Sequence, residues 1–333
     1  MKPVVQLLVP DDLALRQAFL QILELKCQFY PHAYFQELER RLGIRCGIVD
    51  HLFSPDFKGN IWLALNSGKP MGYLSLEASP WDSKYMGKQV LKISNFEIFS
   101  QDESEIRLGA RALLEACLAE LKELGSTYCL TRVDASDPAL MSALLECGFL
   151  QIETLLTFGA RQQAMSVQLT SFQSPFKLQE LAPSDLPWAA SLSAVEVNPF
   201  DRFHADPALD GDKPEKFMRA WVNDGARGYC DANFKVMLNG VDAGFALWQK
   251  NETLAGKIKF WVPRLVLGAV ASPMRGQGAY KTLCAEPAKI FFGQGAQAIE
   301  MSTQAENLGA VRAWKSLGLQ LMQTQYSFRK ISG

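Results

Sequence analysis

The run Val270-Ala271-Ser272-Pro273-Met274-Arg275-Gly276-Gln277-Gly278-Ala279-Tyr280-Lys281 decides the fold. An apolar strand pattern ends, an arginine and two glycines make a tight loop, and a helical pattern starts directly after it. The loop amides and the unpaired first-turn N–H groups of such a helix converge on one spot, with the positive end of the helix dipole behind them; that is an anion cradle. Glycines let a pyrophosphate come close to the backbone, and Arg275 and Lys281 add charge. Taken alone, the loop reads equally well as a plain strand-to-helix turn. Two other phosphate loops fail the spacing. A Walker A loop needs GxxxxGK[ST], and a dinucleotide fold needs GxGxxG near the start of a βαβ unit with an acid about 20 residues on.

Downstream stands Ile299-Glu300-Met301-Ser302-Thr303-Gln304-Ala305-Glu306-Asn307-Leu308-Gly309-Ala310, then Trp314-Lys315-Ser316-Leu317-Gly318-Leu319. Together the two segments resemble the GCN5-related N-acetyltransferase (GNAT) superfamily, in its Arg/Gln-x-x-Gly-x-Gly/Ala pyrophosphate loop, the later strand, the Asn-x-x-Ala helix and the Gly-Phe turn. Arg275 and Gly278 match the loop, whereas Tyr280 stands where the family has a small residue.

The resemblance implies acetyl-CoA as cofactor, lying where a long fourth strand splays from the fifth. A free amine would attack the thioester directly, through a tetrahedral intermediate. Backbone groups of Gly268, Ala269 and Val270 would hold the pantetheine arm and polarise the carbonyl, since aimed N–H donors stabilise a developing oxyanion. The amides of Gly276, Gln277, Gly278, Ala279 and Tyr280, with Arg275 and Lys281, would bind the pyrophosphate. Asn307 would bond the cofactor near its sulfur, with Thr303 and Trp314 beside it.

Two protons must move, one off the attacking ammonium and one onto the departing thiolate. The family often supplies the second from a tyrosine seven residues after the asparagine, but here that position is Trp314, whose indole N–H donates hydrogen bonds without acting as an acid. Tyr326, Tyr280 or water takes that role, or the chemistry is absent. His204 is the candidate base, because histidine titrates near working pH; Glu196, Asp201 and Asp206 lie close by in sequence. A structural role for His204 fits the sequence as well. Arg202 pairs with a substrate diphosphate or with a structural carboxylate. Phe200, Phe203 and Trp221 are core aromatics or a sugar-stacking platform. Asp201, Arg202 and Phe203 are the expected substrate residues, because Asn198 to Pro207, Trp221 to Asn223 and Ser79 to Gly87 resemble the TDP-fucosamine acetyltransferase family, which acetylates an amino-sugar nucleotide.

The chain also repeats itself. Leu8-Val9-Pro10-Asp11-Asp12-Leu13 returns as Leu181 to Leu186, Asn60 to Asn66 as Asn233 to Asn239, and Asp137 to Phe149 as Asn307 to Leu319, in the same order. Each half reads as a short strand, a helical region, a hairpin marked in the second half by Asn239-Gly240, a long strand (Lys88 to Phe99; Lys257 to Ala271), a helix, a strand, a short helix and a last strand. The expected fold is mixed α/β: two tandem GNAT folds, each a mostly antiparallel twisted sheet flanked by helices. Residues 1–165 would form a degenerate domain and residues 174–333 the acetyl-CoA-binding one. The boundary would lie between about Gly159 and Pro175, a Gln/Ser-rich stretch between two strand-like segments. At the first half's matching junction stands Ser100-Gln101-Asp102-Glu103-Ser104-Glu105, which caps a helix well but repels a pyrophosphate. Asp137 replaces the asparagine. The first half is expected to bind no coenzyme A and to wall the acceptor pocket.

The 333 residues are 48% hydrophobic and 21% charged, with 34 basic and 35 acidic side chains and a net charge of −1, which leaves no electrostatic footprint for nucleic acid. The longest apolar stretch, Phe260 to Pro273, is broken by Pro263 and Arg264 and falls short of the roughly 20 residues that span a membrane; it reads as a buried strand. The first twelve residues lack the long apolar region of a secretory leader. Seven cysteines without CxxC spacing read as buried reduced thiols, and three histidines without ligand spacing give no metal site. The expectation is a cytoplasmic monomer or homodimer that acetylates a small-molecule amine. The competing readings are a catalytically weak acyl-CoA-binding scaffold and an acetyltransferase for a peptide, polyamine or other small amine.

Overall fold

The computed structural model describes residues 3–9, 11–35, 39–196, 198–209 and 212–332, so Pro10 of the first repeat motif lies outside the described residues. The chain divides into two compact units: Met1–Glu153 with Gln325–Gly333, and Thr154–Thr324.

In unit 1, β1 (Val4–Leu7) leads through the Asp12 cap, whose carboxylate takes the Leu15 N–H at 3.0 Å, into α1 (Leu13–Lys26). Next come α2 (Arg40–Ile44), a π-helical stretch (Arg45–Val49) and α3 (Asp50–Leu52). The elements β2 (Gly59–Asn66), β3 (Lys69–Ala78), α4 (Pro80–Met86), β4 (Gln89–Ile98), α5 (Glu103–Glu123), β5 (Thr127–Asp134) and α6 (Pro138–Glu146) complete its continuous part. Side chains alternate across the sheet. Ile61, Leu63 and Leu65 of β2 pack with Phe19 and Leu23 of α1 on one face, and Trp62 and Ala64 pack with Leu113, Leu114 and Cys117 of α5 on the other.

Unit 2 opens within β6 (Leu150–Arg161), at Thr154, and goes on through α7 (Gln162–Ser171), β7 (Lys177–Glu180), α8 (Leu186–Val195) and α9 (Lys213–Arg227). It continues through β8 (Ala232–Leu238), β9 (Val241–Gln249), α10 (Glu252–Ile258), β10 (Arg264–Val270), α11 (Ala279–Gly293), β11 (Ala298–Gln304) and α12 (Leu308–Ser316). The same alternation sends Phe245 and Leu247 of β9 toward α8, and Ala246 and Trp248 toward α11.

The last strands are exchanged relative to the repeats. β12 (Gln320–Ser332) pairs antiparallel with β5, from Gln325↔Asp134 to Ser332↔Thr127, while β6 pairs with β11, from Gln304↔Leu155 to Ala298↔Arg161. The strand order is β1-β2-β3-β4-β5-β12 in unit 1 and β6-β11-β10-β9-β8-β7 in unit 2, antiparallel except for β4/β5 and β10/β11. The compact units therefore differ from the sequence spans 1–165 and 174–333 by one strand each.

Two local expectations are corrected. The Gln/Ser-rich stretch from Gly159 to Pro175 is largely helix, because Met165 and Leu169, one turn apart, both bury against the unit 2 core. The long strand from Lys257 begins only at Arg264: Lys257 and Ile258 end α10, a short helix bracketed by left-handed Asn251 (φ 59°) and Lys259 (φ 56°), and Pro263 precedes the strand. All the cysteines are free thiols.

One feature of the sheet positions the site. β10 pairs with β11 only at Arg264↔Glu300 and Leu265↔Met301, and a bulge at Val266 follows. Beyond it β10 keeps only β9, so the two parallel strands part. Unit 1 repeats the device, with pairing from Gln89↔Thr127 to Ile93↔Thr131 and a bulge at Ser94.

Candidate functional site

Where β10 leaves β11, its backbone has an open side. The Ala271 N–H bonds the Ala243 C=O at 2.9 Å, and alternation along the antiparallel pair then turns the N–H and C=O of Gly268 and Val270 away from β9. Val270 C=O is met by Arg275 Nε at 3.3 Å; Val266 to Ala269 stay half-buried, and Val270 is buried.

After β10 a short 3-10 turn (Ser272–Met274) leads to the glycine loop. Gly276 and Gly278 have φ of 76° and 95°, left-handed values that favour glycine, and a Cβ on either would meet nothing within 4 Å. Among the described residues, the N–H groups of Gly276, Gln277, Gly278, Ala279 and Tyr280 meet no acceptor, and the first backbone bond into α11 runs from Thr282 N–H to Gly278 C=O. Unpaired amides at a helix N-terminus, with open space beside both glycines, suit a pyrophosphate, so the residues present fit coenzyme A.

The charged side chains are placed differently from expectation. Arg275 Nη2 donates to Glu196 Oε2 at 2.6 Å, and the Lys281 ammonium sits 5.3 Å from the centre of the Phe172 ring. Both cations expected on the pyrophosphate already have a protein partner, and the backbone amides are the donors of the loop that have none. Glu196, with an 11% exposed side chain, also takes the Ser272 N–H (2.6 Å) and hydroxyl (2.7 Å). Burial pushes its carboxyl up, but these bonds and the Arg275 charge win and hold it below its ordinary value. Gln277 Nε2 donates to Pro273 C=O at 2.9 Å.

Asn307 caps α12. Its Oδ1 takes the Ala310 N–H at 3.3 Å and its Nδ2 donates to Thr303 Oγ1 at 2.9 Å, which leaves one amide N–H over. Trp314 is 1% exposed and packs on Phe158 of β6, ring centres 5.6 Å apart. Its indole lies beside the Tyr280 phenol and the Cys284 thiol without an aligned bond from Nε1. Burial raises Tyr280 well above the ordinary tyrosine range and pushes Cys284 up to about 12, so both stay protonated. The Tyr280 ring also packs near Gly268, whose added Cβ would lie 3.6 Å from Cε2.

His204 and Asp201 form a dyad. His204 Nδ1 is 2.7 Å from Asp201 Oδ2, while Oδ1 takes the N–H groups of Phe203 (2.8 Å) and His204 (3.1 Å). A carboxylate only accepts, so Nδ1 is the donor to Asp201, and Nε2 is buried with no partner. Asp206 is buried and takes the Ala208 N–H at 3.0 Å, a turn-forming role.

Two expected site residues have surroundings of their own. Phe203 is 3% exposed and stacks on Phe217 of α9 with centres 3.9 Å apart, so it is core and offers no face to a substrate; Arg202 lies over its ring at 4.7 Å. Tyr326 belongs to β12, paired with Val133 and packed on the unit 1 core, so the unit that carries the glycine loop does not contain it. In unit 1 the matching junction is closed by its own side chains: Asp102 Oδ1 takes the Glu105 N–H at 3.0 Å, and Asp137 caps α6 through the Leu140 N–H at 3.0 Å. Sequence reasoning missed the Glu196–Ser272–Arg275 cluster and the bond from Asn198 to Gln304. Among the described residues, no group of three or more His, Cys, Asp or Glu is placed to hold a metal, and no helix is long and apolar enough to cross a membrane.

No protein-family model matches the chain, and no curated protein matches its sequence. Solved structures share its fold along its whole length. A GCN5-related N-acetyltransferase from Sphaerobacter thermophilus aligns over 99% of this chain and 96% of its own, with TM-score 0.57 and 15% identity. A tandem GNAT protein from the clavulanic acid biosynthesis pathway aligns over 99% of both chains, with TM-score 0.54 and 12% identity. The glucosamine N-acetyltransferase region of a fungal multi-domain β-N-acetylglucosaminidase covers 98% of this chain and 38% of that one, with TM-score 0.61 and 11% identity. At these identities the likeness establishes the tandem GNAT fold.

Proposed function

We propose that the chain is an acetyl-CoA-dependent N-acetyltransferase acting on a primary amine of a small molecule, with an amino-sugar nucleotide as the favoured acceptor. The observation that carries this reading is the row of unpaired amides from Gly276 to Tyr280 at the start of α11, with open space beside both glycines, next to a strand whose Gly268 backbone faces the parting of β10 and β11. The neighbouring fold supports it, and the fungal relative's glucosamine N-acetyltransferase region adds an amino sugar to the acceptor argument.

Acetyl-CoA, when bound, supplies the activated acyl group. The amides of residues 276–280 hold the pyrophosphate, and the Gly268 and Val270 backbone orients the arm that leads to the thioester. His204 Nε2 accepts the proton of the attacking ammonium, with Asp201 fixing the ring and stabilising its charged form. Tyr280, the phenol that unit 2 places beside Trp314, stays protonated and would donate a hydrogen bond to the departing thiolate, which would take its proton from water as the new amide nitrogen releases its second proton to water. Arg202, half-buried next to the dyad, faces the acceptor's diphosphate.

Calorimetry with coenzyme A, followed by thiol release across a panel of amines that includes 4-amino-sugar nucleotides, polyamines and peptides, tests the reading. Turnover best on the sugar nucleotide supports it in full. Binding without turnover on any amine favours the acyl-CoA-binding scaffold, and absence of binding overturns the site.

A further inference from the structure

Glu196 follows α8 directly, and its carboxylate is bound on three sides by residues just past the end of β10: the Ser272 N–H and hydroxyl and the Arg275 guanidinium. Two residues further along, Asn198 Nδ2 donates to Gln304 Oε1 at 2.6 Å, on the last residue of β11. β10 and β11 have parted well before these points, so the chain leaving α8 is fastened to both sides of the opening between them. It then runs straight into the turn that holds Asp201 and His204.

We propose that Glu196 is a positioning residue that couples the two halves of the site, so that a nucleotide diphosphate bound on the loop amides orders the His204 segment. The proposal rests on the reading of residues 276–280 as a pyrophosphate cradle. Its physical basis is Arg275, whose half-exposed guanidinium is already bonded to Glu196 on one edge and has N–H groups left for a phosphate on the other. A phosphate there fixes the loop, the loop fixes the Ser272 and Arg275 donors, and these fix the carboxylate from which the next turn of chain starts. Linkage makes the effect reciprocal: the amine tightens coenzyme A by the factor that coenzyme A tightens the amine.

Amide hydrogen exchange at Phe203, His204 and Ala205, whose N–H groups all bond to Asp201, reads the coupling without any turnover. In the unaltered protein, saturating coenzyme A slows these amides by about fivefold or more, the lower end of ordinary coupling. In Glu196→Gln, which keeps the shape and loses the charge on Arg275, coenzyme A still binds by calorimetry but slows them by less than about twofold. Where that variant fails to fold, Ser272→Ala replaces it; it removes one bond and gives intermediate slowing. Equal slowing in the variants, or coenzyme A binding to the unaltered protein without slowing, overturns the proposal and leaves the cradle standing. Failure of coenzyme A to bind the unaltered protein overturns both.

Discussion

Gly278 gives the sharpest perturbation of the cradle. It sits at the cap of α11 with φ 95°, and a Cβ added there would meet nothing within 4 Å, so a new side chain points into the space assigned to the pyrophosphate. Gly278→Asn supplies the steric and backbone part, because asparagine tolerates the left-handed region. Gly278→Asp adds one negative charge to the same shape. Two unit charges about 4 Å apart near a protein surface interact by roughly 4 kcal/mol before screening. Exposure and salt reduce this to about 1.5–3 kcal/mol, or about 10–100-fold in affinity. Calorimetry with coenzyme A on both variants isolates the charge as their ratio. Asp is expected to bind about 10–100-fold more weakly than Asn at about 0.1 M salt, with the ratio shrinking at about 1 M, where the Debye length falls to about 3 Å. Equal affinities, or a ratio indifferent to salt, refute the assignment of the pyrophosphate to this loop.

Three further outcomes follow from named side chains. His204→Gln is expected to lower kcat/KM by about 10²–10⁴ and to flatten the rise of rate with pH, with coenzyme A affinity unchanged by calorimetry; an unaltered pH profile removes His204 as the base. Tyr280→Phe should lower kcat by about 10²–10³ while coenzyme A affinity stays within about twofold, as for loss of one aimed donor, and an unchanged kcat excludes the phenol. Glu97 of β4 takes the Gln28 N–H at 2.8 Å on one oxygen and has no partner on the other, and burial raises its pKa from 4.5 to about 7. The folded state therefore holds the proton more tightly than the unfolded chain, so its contribution is full below pH about 4.5 and is lost as pH rises through about 7. Glu97→Gln is expected to stabilise the protein by about 3 kcal/mol at pH about 8 and by almost nothing at pH about 4, read from denaturant midpoints; equal shifts at the two pH values contradict it.

The loop and the Asn307 helix are legible in sequence because a few adjacent residues encode them: two glycines at positive φ and an asparagine whose side chain caps its own helix. The exchange of β6 and β12 is not, since both carry the same alternation and pairing choice depends on partners far along the chain. That exchange is why Tyr326 lies in unit 1 and why Phe158, rather than a residue from the last strand, packs on Trp314. Charge at Arg275 and Lys281 is visible in the sequence, but their partners Glu196 and Phe172 are remote from them and became apparent only in the fold. The region before β10 misled by its apolar content. Buried Phe260 and Val262 look like strand, whereas Asn251, Lys259 and Pro263 turn the preceding residues into a short helix and delay the strand.

Binding of the pyrophosphate by backbone amides at the start of α11 is what every other role in the site depends on. A crystal structure with coenzyme A bound tests it most directly. The expected result has phosphate oxygens within hydrogen-bond distance of the amides of Gly276 to Tyr280 and the arm running along Gly268 and Val270 between β10 and β11. Pyrophosphate placed away from these amides, or at the Asp102 end of α5, contradicts it.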